Sequence, residues 1–162
     1  MDIGTIINPV PLLSPQDIAN ATTATPFVNL KTAQALTFQV QFGTVTSASA
    51  DQNITVTVEA SSAAATGAEV AIAFRYQLSG AVGSNSLGAL TNATSSGVTV
   101  ASTDDNKTLW VFLDPTAALA SLADAQYARV VIAPDAGYTV CLVAANAYIE
   151  TRYQQVTPVS AT

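Results

Sequence analysis

Asp104 and Asp105 stand side by side in "TDDNK", the one adjacent pair of carboxylates in a chain without histidine. Two carboxylates can serve as the acid and base of a glycosidase if the fold holds them on either side of a sugar. These two fall in a turn and are followed by Asn106. Asp and Asn are favoured in turns because their side chains bond the local backbone, so turn chemistry accounts for them. Adding Asp114 to make a calcium site from Asp104, Asp105 and Asn106 does not meet the spacing of a calcium loop.

Other chemistry is equally short of parts. A serine nucleophile needs a base near neutrality, and Lys31 and Lys107 lie outside any S-x-x-K pattern. Cys141 is the single cysteine, so an internal disulfide is excluded and a zinc site has too few ligands. It sits in "YTVCLVAANAYI", with no cation close in sequence to lower its pKa, and reads as a small core hydrophobe. "SGAVGSNSLG" has neither the glycine spacing nor the lysine of a phosphate-binding loop. The sequons at Asn20, Asn53, Asn92 and Asn106 follow from the abundance of threonine and are assigned no role. The reading is therefore of a protein that is not an enzyme, with no catalytic residue, no cofactor and no metal.

Composition points the same way. Of 162 residues 49% are apolar and only 10% charged, so Thr, Ser, Asn, Gln and Ala must cover most of the surface. Hydroxyls and amides can pair across an interface, whereas buried lysines and glutamates lose hydration and rotamer freedom. Net charge is −6, and the five cations Lys31, Arg75, Lys107, Arg129 and Arg152 are scattered. Nucleic-acid binding needs several phosphates neutralised from one face, so no direct nucleic-acid partner is expected. No basic amphipathic stretch or long apolar run suggests a membrane, and "MDIGTIINPVPLLSPQ" lacks the form of a signal peptide. Assembly in a cytoplasm is the corresponding expectation.

The elements are strands. Leu36, Phe38, Val40 and Phe42 alternate with Thr37, Gln39 and Gln41, and Ile54, Val56 and Val58 repeat the period of two. "SASADQN" between them reads as a hairpin loop, and "TDDNK" reads as the turn of a second hairpin between "VTVAS" and "TLWVFLD". "VAIAFRYQL" aligns Val70, Ile72, Phe74 and Tyr76, and a short strand is expected near Leu87–Leu90 within a long turn-rich stretch. Asp114 followed by Pro115 predicts an N-cap and the first turn of one short helix in "TAALASLADAQ". "YARVVIAPDAGYTVCLVAANAYIETRY" adds two or three strands turning at "PDAG". The fold class is all-β, a single β-sandwich or jelly-roll-like domain.

Residues 1–30 carry Pro9, Pro11, Pro15 and Pro26 and read as an extended N-terminal arm, followed by a β-sandwich domain at 31–155 and a polar C-terminal tail at 156–162. The arm's Ile3, Ile6, Ile7, Val10, Leu12 and Leu13 are apolar enough to dock on the sandwich or on a neighbour, and they are the candidate contact residues.

In order, "NLKTAQALTFQVQFGTV", "ITVTVEASS", "VAIAFRYQLSGA", "LGALT", "SSGVTVASTDDNKTLWVFLDP" and "YARVVIA" resemble the capsid decoration, or cement, proteins of tailed bacteriophages, over roughly residues 27–153. The resemblance implies a structural virion protein on the outer capsid surface that stabilises the shell by bridging subunits of the major capsid protein. It also implies a homo-oligomer, trimer or dimer, with an arm that contributes to the grip. The alternative is a head-fibre or tail-appendage module that binds host-surface carbohydrate or a receptor. Sugar sites need aromatic platforms. Trp110, in a continuous apolar run, and Phe112, with most of the other aromatics, are assigned to core strands, which counts against that alternative.

Overall fold

Alternation decides which side of each strand meets the core. In Ala33–Ser47 the side chains of Leu36, Phe38, Val40 and Phe42 are buried, while Thr37, Gln39 and Gln41 between them stay partly or fully exposed. Ile54, Val56 and Val58 are likewise fully buried in Asn53–Ser61. Two such strands can satisfy their apolar faces only against each other, which calls for two layers.

The computed structural model describes residues 7–49 and 51–152. In chain order these form β1 (Ile7–Asp17), β2 (Thr23–Ala24), β3 (Val28–Asn29), β4 (Ala33–Ser47), β5 (Asn53–Ser61) and β6 (Glu69–Ile72). There follow β7 (Phe74–Leu78), β8 (Thr91–Ala93), β9 (Val98–Ala101), β10 (Thr108–Leu113), α1 (Pro115–Ser121), β11 (Tyr127–Pro134) and β12 (Tyr138–Thr151). One six-stranded sheet runs β1-β12-β4-β10-β7-β8. The other is built on β2-β11-β5-β6, with β3 also on β11 and β9 also on β5. The described pairings are antiparallel, and one buried cluster joins the inner faces of both sheets. The protein is an all-β sandwich with one short helix, as the strand pattern predicts.

The partners of the strands differ from expectation. "SASADQN" does not close a hairpin, because β4 lies in the first sheet and β5 in the second. "TDDNK" likewise carries the chain from β9 on β5 to β10 between β4 and β7, and "PDAG" carries it from β11 to β12 across the layers. Even "VAIAFRYQL" is divided, β6 pairing with β5 and β7 with β10, so that Ile72 and Phe74 enter the core on either side of the switch at Ala73. Alternation specifies a strand's buried face, and that face looks the same whether the next strand is beside it or opposite. The strand expected near Leu87–Leu90 falls at Thr91–Ala93, while Leu87 makes a single bridge to Ser79.

Over its described part the arm docks on its own sandwich, one of the two expected places, and does so as strands. β1 pairs with β12 from Ile7↔Glu150 to Asp17↔Leu142, and β2 and β3 pair with β11, so no boundary separates residues 7–30 from the sandwich. Pro9, Pro11 and Pro15 are compatible with this because β1 is an edge strand, where one side of the backbone needs no partner. Register shifts between Pro11 and Leu13, and again before Gln16, absorb the irregularity. The proposed tail at 156–162 lies outside the described residues.

Local chemistry closes the remaining corners. Asp114 caps α1 by accepting from Thr116 N at 2.9 Å, and Pro115 occupies the first turn, where a missing N–H is harmless. Gly97 has φ +87°, and a Cβ there would meet the Val56 carbonyl, so the turn into β9 requires glycine.

Candidate functional site

The outer face of the β1-β12-β4-β10-β7-β8 sheet collects side chains of an unusual kind. Because Leu109, Val111 and Leu113 of β10 pair with buried Val40, Phe38 and Leu36, the intervening Trp110 and Phe112 turn outward and are half-buried. This corrects their assignment to the core. The run "TLWVFL" is apolar on both faces, so periodicity alone could not say which face was inside.

Register then builds two rows across the sheet. Gln77, Trp110, Gln39 and Asn146 lie on successive strands, and beside them lie Arg75, Phe112, Thr37 and Tyr148. Adjacent strands are about 4.8 Å apart, so four positions span roughly 14 Å. The side chains hold one another: Tyr148 Oη donates to Gln39 Oε1 at 2.9 Å, and Asn146 Nδ2 donates to the same oxygen at 3.3 Å. The Trp110 and Tyr148 rings are 6.0 Å apart and tilted by 35°. At one end of this face a cavity of about 430 Å³ is lined by Gln41, Thr108, Leu142 and Val82. At the other a cavity of about 270 Å³ is lined by Thr37, Phe112, Arg75 and Glu150.

The opposite sheet carries a charged cluster whose members are paired. Arg129 of β11 donates to Glu59 at 2.8 Å and to Glu69 at 2.7 Å, and its guanidinium carbon lies 4.5 Å from the centre of the Phe27 ring. The bond from Gly67 N and other backbone bonds, with a smaller contribution from Arg129, hold the Glu69 carboxyl below its ordinary range. The cluster fastens β11, β5 and β6 together.

The residues singled out for chemistry are dispersed. Asp104 accepts from Lys107 Nζ at 2.6 Å, Asp105 accepts from Asn106, and Asp114 caps the helix. Among the described residues no three His, Cys, Asp or Glu side chains converge in a metal-binding group. No helix among them is long and apolar enough to cross a membrane. Of the candidate contact residues, Val10 and Leu12 are buried in the domain's own core and Leu13 packs against it, which withdraws Val10 and Leu12 from any contact with a partner. Ile7 is 37% exposed, and Ile3 and Ile6 lie outside the described residues.

Cys141 is fully buried, and burial, with a lesser contribution from the Asp17 charge, pushes its thiol up to about 11. The thiolate is the reactive form, so native protein at neutral pH should not react with Ellman's reagent over hours, while denatured protein should react at once. Rapid labelling without unfolding would show that the thiol is accessible.

Comparison with protein-family models, with characterised proteins and with solved structures gives no match to this chain, so its own geometry carries the functional reading.

Proposed function

We propose that the protein is a structural virion component that binds the outer surface of a phage capsid and stabilises it by bridging major capsid protein subunits. It acts as a homo-oligomer assembled in the host cytoplasm. The observation that carries this reading is a set of exposed aliphatic side chains on a surface otherwise poor in charge. Val82, Leu87 and Leu90, at 75, 52 and 50% exposure, all stand on the connection between β7 and β8. Large apolar side chains displayed together on one loop are characteristic of docking surfaces. They take the place of Val10 and Leu12 as the gripping residues.

The mechanism is mass action: a subunit that binds only the expanded shell stabilises it by RT ln(1 + [L]/Kd) at every site, and modest contacts add up over the lattice. The purified chain should sediment with undecorated heads to a saturating occupancy. A Val82→Asp, Leu87→Asp, Leu90→Asp variant should lose roughly tenfold or more in affinity while melting as the parent does. Failure of the parent to bind heads ends the capsid reading; unchanged occupancy of the variant ends the role of this loop.

A further inference from the structure

We propose that the outer face of the β1-β12-β4-β10-β7-β8 sheet is a binding site for a neutral polysaccharide, with Trp110 and Tyr148 as its platform and Gln39, Asn146 and Gln77 as its polar groups. A sugar ring presents C–H groups on its faces and hydroxyls around its rim. A site for it needs a partly open aromatic surface edged by groups that both donate and accept hydrogen bonds. The two rows across β7, β10, β4 and β12 supply both.

The amides are already ordered. Gln39 Oε1 accepts from Tyr148 and Asn146, which orients its Nε2 group; that group, the Asn146 side-chain Oδ1 and the Trp110 indole N–H have no hydrogen-bond partner among the described residues. Gln77 is held from the other side by its bond to the Gly88 carbonyl at 3.0 Å. Preorganised groups on rigid strands lose little freedom on binding. Here the supporting strands are the two longest of the described residues, β4 with 15 and β12 with 14.

The class of ligand follows from charge and shape. Gln77, Trp110, Gln39, Asn146, Thr37 and Tyr148 are uncharged, and the charges at the two ends, Lys107 at one and Arg75 with Asp114 and Glu150 at the other, are of mixed sign, so the track offers no run of cations to a sulfated or uronic chain. The centre is continuous with a cavity at each end, one sharing Thr37 and the other sharing Gln41 of β4. A strand advances about 3.4 Å per residue, so these positions lie roughly 14 Å apart along β4. An extended chain of several sugars fits this track better than a single ring. A subunit that never meets a capsid can carry this site; of the three loop residues only Val82 borders it, at the cavity beyond Gln41, while Leu87 and Leu90 line neither cavity.

Trp110 is the single tryptophan, which makes its fluorescence a direct reporter. The full chain should be applied to an array of neutral hexose and N-acetylhexosamine oligosaccharides, and the strongest ligand titrated while tryptophan emission is followed. Saturable binding with an emission shift is expected. Trp110→Ala and Gln39→Ala, with melting curves close to the parent's, should each weaken binding roughly tenfold or more, read for the first by calorimetry. Leu119→Ser, on the exposed side of α1, should leave it unchanged. Three results overturn the proposal: no saturable binding on the array, binding that survives both Trp110→Ala and Gln39→Ala, or concentration-dependent dimers that Gln39→Ala abolishes, which would make this face an interface between copies.

Discussion

A chain lacking residues 1–17 is expected to lose cooperative folding, or to melt at least about 10–20 °C below the parent. Were these residues an arm that only gripped a neighbour, their removal would leave the melt unchanged. Val10 and Leu12 are instead 8% and 7% exposed within the core, and burying such side chains contributes about 1.5–3 kcal/mol each. The ladder to β12 adds backbone bonds worth roughly 0.5–1.5 kcal/mol apiece. Asp17 locks the end of the strand: its carboxylate accepts from Cys141 N at 2.9 Å and Ala19 N at 3.0 Å, and these bonds lower its pKa. Together the losses approach the total stability of a domain, about 5–15 kcal/mol. Thermal denaturation followed by circular dichroism decides the matter, with Ile7→Ser as a control within about 0.5 kcal/mol of the parent. A truncated chain that melts as the parent does would restore the free arm. The same result governs how capsid binding is tested, because an unfolded truncation binds nothing for reasons unrelated to contact.

Strand faces were legible in the sequence because burial acts on each side chain separately. Phe38 and Val40 alternate with Gln39 and Gln41 wherever the neighbouring strand happens to be, and Asp114-Pro115 caps a helix by purely local bonds. Strand partners were not legible. "SASADQN" has the composition of a hairpin loop, yet a loop that crosses between layers needs the same turn residues. The candidate site was hidden by the same limit. Trp110 becomes an outward side chain only once β10 is set in register between β4 and β7, and within "TLWVFL" every position is a plausible core residue except the threonine. The proline-rich segment misled for a related reason: proline forbids a central strand but permits an edge. Which of the two applies depends on the whole sheet.

On the second sheet the paired charges of Arg129, Glu59 and Glu69 help to hold the fold. Arg129→Ala is expected to destabilise the protein by about 2–4 kcal/mol at neutral pH, a value between those for buried and exposed pairs. The Arg129 side chain is 13% exposed, and its loss leaves Glu59 and Glu69 facing each other, 24% and 15% exposed, without a cation. It also removes the guanidinium from the face of the Phe27 ring, against which Tyr127 packs edge-on. If stranded charge is the main cause, adding Glu59→Gln and Glu69→Gln to Arg129→Ala should recover stability; if lost packing dominates, it should not. The pH dependence gives a second reading. The Glu69 pKa is depressed in the folded protein from an unfolded value near 4.5, so its contribution is present above that value and is lost as the pH falls through the lower folded pKa. Protonation also relieves the stranded carboxylate in the variant. Backbone bonds cause most of that depression and persist in the variant, so only the smaller part owed to Arg129 enters the gap between parent and Arg129→Ala, which should narrow from its neutral-pH value as Glu69 protonates in acid. Urea unfolding across that range measures it, and a gap independent of pH would assign the role of Arg129 to packing alone.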